Sequence, residues 1–148
     1  MNAARLEQRF GPADLSFVGF RLWVHWLERD EDQVDGDWLV VSMCCEADGA
    51  EVWVEEMPVL QLPELRAWLT ACESLYLRQS EEAVLECLEP NLHITATIVR
   101  GSLNLRVGIT PNSRTQSHEF EYTADQDAFL QLLGNGKKLL EFFTTGEA

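Results

Sequence analysis

The sequence predicts an α+β fold: a single antiparallel, meander-like sheet of about seven strands, one helix after the third strand packed on one face, and a C-terminal helix. Three observations support this prediction. Most of the chain alternates apolar and polar residues with the period of two that is typical of half-buried strands. Turn signals such as Asp48-Gly49 and Pro90-Asn91 lie close enough together to form hairpins, which join antiparallel strands. Two other stretches have helical apolar spacing.

The first part of the chain predicts an arm and three strands. Residues 1–14 have weak periodicity, which favours a short N-terminal arm. The alternation over 16–28 predicts a strand that leaves Trp23 and His25 on a half-covered face. Its predicted buried face consists of Val18, Phe20, Leu22, Val24 and Trp26. Strands over 38–47 and 50–56 follow as a hairpin.

The stretch LPELRAWLTACESLYL predicts the central helix, over 62–77. Pro63 suits the first helical position, and Glu64 places a negative charge at the positive end of the helix dipole. The apolar stripe consists of Leu65, Trp68, Leu69, Cys72, Leu75 and Tyr76. This stripe needs a sheet to lie on, so we expect the helix to close the core.

The second half of the chain predicts four strands and a helix. The strands are expected over 83–89, 92–99, 102–110 and 116–123, and the C-terminal helix over 124–143. Thr123 and Gln126 have the spacing of a capping box. The Gly134-Asn135-Gly136 segment is expected to kink or split the helix. At 148 residues, with no linker or repeat, the chain is expected to form a single domain, 1–148.

Charge is the strongest compositional signal. The chain has 25 acids against 11 bases and a formal net charge of -14, so we expect no nucleic-acid partner. Eleven of the acids lie between Glu28 and Glu56, where only Arg29 opposes them. A surface of one sign raises the association rate of an oppositely charged protein. The predicted partner-binding residues are Asp30, Glu31, Asp32, Asp35, Asp37, Glu51, Trp53 and Glu55.

Searches for catalytic and metal motifs give weak signals only. The loop DEDQVDGD lacks the glycine and the final glutamate that a calcium loop requires, and Cys44, Cys45, Cys72 and Cys87 read as buried free thiols. His25, His93 and His118 lie on separate predicted strands. We therefore expect no catalytic residue, no metal site and no cofactor. The absence of a signal peptide or apolar span predicts a soluble, cytoplasmic protein without a membrane partner.

Three short motifs follow one another along the middle of the chain. They are Asp37-Trp38-Leu39, a helix of the form Glu-Leu-x-x-Trp-Leu at 64–69, and Leu-Glu-Pro-Asn-Leu at 88–92. Together they resemble the WapI family of bacterial immunity proteins. The segment MPVLQLP departs from the family pattern, which has Asp-Pro and Thr-Trp before the helix.

The resemblance implies an intracellular protein that binds and neutralises the toxic domain of a secreted bacterial toxin, often a nuclease. With the acidic hairpins, this predicts a non-enzymatic inhibitor of a basic toxin domain. One alternative is an interaction or structural domain that binds another protein or forms a homodimer through the face bearing Trp23 and His25. A second alternative is an enzyme or small-ligand binder.

Overall fold

The computed structural model describes residues 2–28 and 37–145 and shows an α+β fold with three helices and two four-stranded antiparallel sheets. The prediction of a single sheet of about seven strands is therefore wrong. Both sheets are meanders, with the strand orders β1-β2-β3-β4 and β5-β6-β7-β8. Hairpin signals fix which strands are neighbours, but nothing local marks the break between β4 and β5, where α2 carries the chain from one sheet to the other.

The elements follow one another along the chain with short connections. They are α1 (Asn2–Phe10), β1 (Leu15–Phe17), β2 (Phe20–Glu28), β3 (Trp38–Ala47), β4 (Ala50–Gln61), α2 (Leu62–Tyr76), β5 (Glu82–Glu86), β6 (Leu92–Val99), β7 (Ser102–Ile109), β8 (Glu119–Ala124) and α3 (Gln126–Thr145).

Two parts of the N-terminal region differ from the prediction. The expected arm contains α1, and the strand expected over 16–28 is a tight hairpin of β1 and β2 that turns at Val18-Gly19. Val18 adopts a positive φ of 53° and is exposed, so it is not part of the predicted buried face. Gly19 is required because a Cβ there would lie 2.1 Å from the Glu46 carbonyl oxygen.

The helix α2 begins as the sequence predicts. The Glu64 side chain accepts a hydrogen bond from the Gln61 backbone N–H at 2.7 Å, which satisfies one of the donors left free at a helix N-terminus. Leu65, Trp68 and Cys72 are buried on its inner stripe. The helix therefore closes the core, as expected.

The helix α3 begins at Gln126, so Thr123 does not cap it as predicted. It continues through Gly134 and Gly136, so it is not split. Asp125 caps it instead, with its carboxylate accepting a hydrogen bond from the Ala128 N–H at 3.1 Å. A Cβ at Gly136 would lie 2.6 Å from Leu69 Cδ2, so this glycine permits close packing of α3 on α2. It serves helix packing and not a helix break.

A single large hydrophobic cluster contains the inner faces of both sheets and the inner stripes of α2 and α3. Tyr122 of β8 connects the sheets, because its hydroxyl donates a hydrogen bond to the Glu46 carbonyl of β3 at 3.1 Å. A second, smaller cluster lies on the other face of the first sheet and contains Leu6, Trp23 and Cys44.

Candidate partner-binding surface

The helix α1 covers part of the face of the β1–β4 sheet that points away from the main core, which we call the outer face. Leu6 of α1 is buried against Trp23 and Cys44. The Trp23 indole N–H also donates to the Gly11 carbonyl at 2.9 Å. Trp23 is only 2% exposed, so the prediction of a half-covered face available for a partner is wrong at this residue.

Two arginines form ion pairs that hold α1 on the first sheet. Arg9 contacts Glu55 at 2.9 Å and Glu56 at 3.5 Å, both on β4. Arg21 of β2 contacts Glu46 at 2.9 Å and Glu7 of α1 at 3.1 Å. These pairs compensate part of the acidic surplus on this side of the molecule.

The predicted binding residues of β4 lie on the outer face, beside α1. Trp53 pairs with Cys44 of β3, which lies under α1, and Trp53 itself is 40% exposed. Glu51 and Glu55 occupy the neighbouring outward positions of the strand and are half-buried. The structure thus brings Glu51, Trp53 and Glu55 onto one face, with Glu55 already engaged by Arg9.

The remaining predicted binding residues belong to the β2–β3 connection. Asp30, Glu31, Asp32 and Asp35 lie outside the described residues. Asp37 is described and half-buried, and its carbonyl accepts a hydrogen bond from the Leu62 N–H at 2.8 Å. The C-terminal end of the acidic connection is therefore held against the start of α2.

Trp26 is an exposed aromatic residue, although the alternation over 16–28 predicted it on the buried face. The β2–β3 register shifts between Val24 and Trp26, so that His25 is an extra residue in β2. Such a bulge reverses the alternation of side chains beyond it. As a result Leu27 packs against the main core, and Trp26, 46% exposed, lies on the outer face near the C-terminal end of β2.

His25 is held between α1 and the sheet. Its Nε2 lies 2.7 Å from the Ser42 hydroxyl, and its ring centroid lies 4.3 Å from that of Phe10. The Ser42 oxygen also accepts the Glu56 backbone N–H at 3.0 Å, so a neutral His25 that accepts the Ser42 hydroxyl proton satisfies all three groups. Burial lowers the pKa of His25, which favours this neutral form.

An open groove of about 570 Å³ lies between the 12–14 segment and α3, and His25, Asp14 and Lys138 are among its lining residues. A histidine and a carboxylate in a concave site are the arrangement that would favour an enzyme or a ligand binder. Here the Asp14 carboxylate accepts the Val24 backbone N–H at 2.7 Å and His25 is bonded to Ser42. Both side chains therefore serve to position the backbone and α1.

The described residues contain no group of three or more His, Cys, Asp or Glu that could hold a metal ion. His25 lies on the first sheet and His93 on the second, so the three histidines do not meet at one place. Burial raises the pKa of the Cys44 thiol to about 11, and those of Cys45 and Cys72 to about 12. Thiols with such pKa values are weak nucleophiles at neutral pH.

The residues of the short motifs in the middle of the chain join α2 to the second sheet and hold one end of that sheet. Glu64, besides capping α2, accepts the Leu88 backbone N–H at 2.9 Å, which joins the helix motif to the Leu-Glu-Pro-Asn-Leu turn. The Trp68 indole N–H donates to the Ala83 carbonyl at 3.3 Å. Asn91 donates to the Thr110 carbonyl at 2.9 Å. These motif contacts serve the scaffold.

Comparison with known proteins agrees with this pattern. The model of the immunity protein WapI-like family matches residues 13–144, which is most of the chain. The chain belongs to the WapI-like family of immunity proteins. No curated protein and no solved structure matches it.

Membership of an immunity family associates this WapI-like protein with the neutralisation of a toxin. The match includes β1–β8 and almost all of α3, but it begins after α1. The helix that covers Trp23 is therefore a feature of this chain outside the matched region. None of the described helices is long and apolar enough to cross a membrane.

Proposed function

We propose that this WapI-like protein binds the basic surface of a cognate toxin domain and neutralises the toxin by covering that surface. The proposed contact residues are Asp30, Glu31, Asp32, Asp35, Asp37, Glu51, Trp53 and Glu55. The observation that carries the proposal is the family match, since an immunity protein acts by binding a toxin. The concentration of acids between Glu28 and Glu56 supports the basic character of the partner.

The described part of the surface has the composition of an interface. Trp26 and Trp53 are the two most exposed tryptophans among the described residues, and both lie on the outer face of the first sheet. Exposed tryptophans are frequent energetic hot spots, whereas charges at the rim mainly set the association rate. We therefore assign Trp26 and Trp53 to anchoring the partner and the acidic connection to attracting it.

The acids of this surface have two different roles. Glu55 and Glu56 contact Arg9, so their first role is to hold α1 on the sheet. The four acids of the 30–35 segment are opposed in sequence only by Arg29. Removing charge from the 30–35 segment should therefore lower the association rate with the toxin. Removing the Glu55 carboxylate should instead weaken the packing of α1 on the sheet.

A nuclease is the toxin class that best fits an acidic inhibitor. Nucleases bind phosphates with lysine and arginine side chains, and a row of carboxylates presents the same sign of charge to those side chains. In this proposal the toxin's substrate site is blocked by competition for its basic residues. A toxin without a basic surface would require a different contact region.

The proposal is tested with the cognate toxin domain of this protein. In the first variant Asp30, Asp32, Asp35 and Asp37 are replaced by Asn, and in the matched control Glu81, Glu82, Glu86 and Glu89 are replaced by Gln. Both variants lose four negative charges. The first should reduce the association rate constant roughly tenfold at low salt and flatten its salt dependence, because charge near the contact steers the encounter.

The control variant should change the association rate little, since its substitutions lie at the β5 strand and its flanking turns. Equal effects of the two variants would show that only net charge matters and would contradict the proposed surface. Unchanged binding by the first variant would contradict it as well.

A further inference from the structure

The helix α1 covers an apolar patch that lies apart from the main core. Leu6 of α1 is buried against Trp23 of β2 and Cys44 of β3, and these residues form the smaller of the two hydrophobic clusters. Among the described residues, α1 contributes none to the main cluster, which contains the inner faces of both sheets. Departure of α1 from the sheet would therefore leave the main core closed.

Few contacts hold α1 in place. Among its described side chains only that of Leu6 is buried, and Phe10 adds a half-buried ring. The ion pairs of Arg9 and Glu7 involve side chains that are about half exposed, and such pairs contribute little to stability. A helix of nine residues is also too short to be stable alone. Opening of α1 is therefore expected to cost less free energy than opening of the rest of the fold.

The turn after α1 allows the helix to swing away from the sheet. Gly11 ends the helix with a positive φ of 81°, and its N–H donates to the Glu7 carbonyl at 2.8 Å. Asp14 fixes the chain to the sheet again, because its N–H donates to the Leu22 carbonyl at 2.9 Å. Between these points the Gly11 carbonyl accepts the Trp23 indole N–H, and water can replace either partner when α1 moves. The segment before Asp14 can thus leave without breaking a strand pairing.

The surface beneath α1 is continuous with the proposed toxin surface. Cys44 lies opposite Trp53 in the β3–β4 register, and Trp53 is exposed on the outer face. With α1 away, Trp23, Cys44 and Trp53 form one apolar strip across three neighbouring strands. A contiguous apolar strip of this kind is typical of an interaction site.

The seating of α1 on the apolar strip indicates which ligand the strip fits. Leu6 and Arg9 are three residues apart, so they lie on one side of the helix. Leu6 covers the strip, while Arg9 reaches the carboxylates of Glu55 at 2.9 Å and Glu56 at 3.5 Å. A helix with an apolar residue and a cation at this spacing is therefore complementary to the strip and its acidic border.

We propose that α1 is a displaceable cover and that a basic amphipathic helix of the toxin takes its place on the apolar strip. The toxin helix places an apolar residue over Trp23 and Cys44, and an arginine or lysine at Glu55 and Glu56. This inference rests on the proposed function, because it names the part of the toxin that the outer face holds. In the free protein α1 keeps the strip covered, and it competes with the toxin for the same carboxylates.

Thiol labelling of the full chain alone measures the opening of α1. Cys44 and Cys45 are neighbours on β3, but Cys44 lies under α1 and Cys45 in the main core. Reaction with N-ethylmaleimide needs an accessible thiolate, and burial raises the pKa of the Cys44 thiol to about 11 in the closed form. Tandem mass spectrometry should show that Cys44 reacts at least about 100-fold faster than Cys45, because it needs only local opening.

Two matched substitutions separate local opening from global unfolding. Leu6→Ala should raise the labelling rate of Cys44 about 30-fold and leave that of Cys45 unchanged. Leu22→Ala, on the core face of β2, should raise the rate of Cys45 and leave that of Cys44 unchanged. Equal labelling rates of the two cysteines in the wild type would overturn the proposal, since α1 would then leave the sheet only on global unfolding.

Binding to the cognate toxin domain, measured by isothermal titration calorimetry, tests the displacement. Because the toxin helix needs the open form, the dissociation constant of Leu6→Ala should fall by the same factor as its Cys44 labelling rate rises. Leu22→Ala, which leaves α1 closed, should bind as the wild type does. Adding Glu55→Gln to Leu6→Ala should weaken binding about tenfold relative to Leu6→Ala alone, since the carboxylate then faces the cation of the toxin.

The possible failures of the displacement and of the proposed function differ. If the wild type binds its toxin, unchanged or weaker binding by Leu6→Ala would overturn the displacement and leave the proposed function standing. Absence of toxin binding by the wild type and by every variant, in chains whose Cys44 labelling shows that they are folded, would overturn both.

Discussion

Replacing Gly136 by Ala tests the packing of the two helices most sharply. In an exposed helix this substitution stabilises a protein by about 1 kcal/mol, because alanine has the higher helix propensity. Gly136 is buried, and the added Cβ would lie 2.6 Å from Leu69 Cδ2 and 2.9 Å from Leu69 Cδ1. Overpacking of this kind costs about 1–3 kcal/mol, so we expect a net loss of about 1 kcal/mol in the free energy of unfolding.

Gly134→Ala is the matched control, since it lies two residues away in the same helix and its Cβ would contact nothing. It should stabilise the protein by about 1 kcal/mol. The two variants should therefore differ by about 2 kcal/mol, which for a domain of this size is a difference of roughly 4–8 °C in Tm. Urea unfolding followed by tryptophan fluorescence gives the free energies directly.

Gly136→Ala in a Leu69→Ala background tests whether contact with the Leu69 side chain causes the loss of stability. Without the leucine side chain the three atoms nearest to the new methyl group are gone, so the loss caused by Gly136→Ala should disappear in that background. Equal stabilisation by Gly134→Ala and Gly136→Ala in the wild-type background would refute the close helix packing described here.

Three further substitutions test the core, the helix start and the half-buried His25. Trp68→Ala should lower the free energy of unfolding by about 3–5 kcal/mol, because the side chain is 1% exposed; a loss below 1 kcal/mol in urea unfolding would contradict its place in the core. Glu64→Ala should cost about 1–2 kcal/mol, because the N–H groups of Gln61 and Leu88 both lose an acceptor; Glu64→Gln, which keeps an acceptor oxygen, should cost less in the same assay. The folded-state pKa of His25 lies below 6.5, so the unfolded chain binds more protons as the pH falls through 6.5, and stability should fall there. Melting curves between pH 8 and pH 5 should show a smaller loss in His25→Gln; identical pH profiles would contradict a neutral, half-buried His25.

Local sequence signals predicted the central elements well. The helix predicted over 62–77 is α2 (Leu62–Tyr76), and the strands predicted over 38–47 and 92–99 have those bounds in the structure. These elements have strong periodicity and marked ends, such as Pro63 and Glu64 for α2 and Asp48-Gly49 for β3. Where a local pattern and its boundary signals agree, the element can be assigned from sequence.

The errors arise from features with no local signature. The helix α1 buries little more than Leu6 and part of Phe10, so its apolar stripe is too sparse to distinguish it from an arm. The bulge at His25 adds one residue to β2 and moves Trp26 to the opposite face from the one that alternation predicts. The glycines of α3 suggest a break, but Gly136 packs closely against Leu69, a residue far away in sequence.

The candidate surface was predictable in part. Glu51, Trp53 and Glu55 share the outer face as alternation predicts, but the ion pair of Glu55 with Arg9 depends on α1 and could not be foreseen. The exposure of Trp26 could not be predicted, because the bulge at His25 that moves it to the outer face has no local signal. The motifs identified the family correctly, and their residues Glu64, Trp68 and Asn91 make contacts within the scaffold.

Hydrogen–deuterium exchange of this chain with and without its toxin domain, read by mass spectrometry, locates the toxin-binding surface. Slower exchange in the complex is expected for peptides covering the β2–β3 connection and the first half of β4, around Trp53. Peptides from β5 to β8 should exchange at the same rate in both samples. Protection confined to β5–β8, with none in the first sheet, would contradict the proposal that the acidic side of the first sheet binds the toxin.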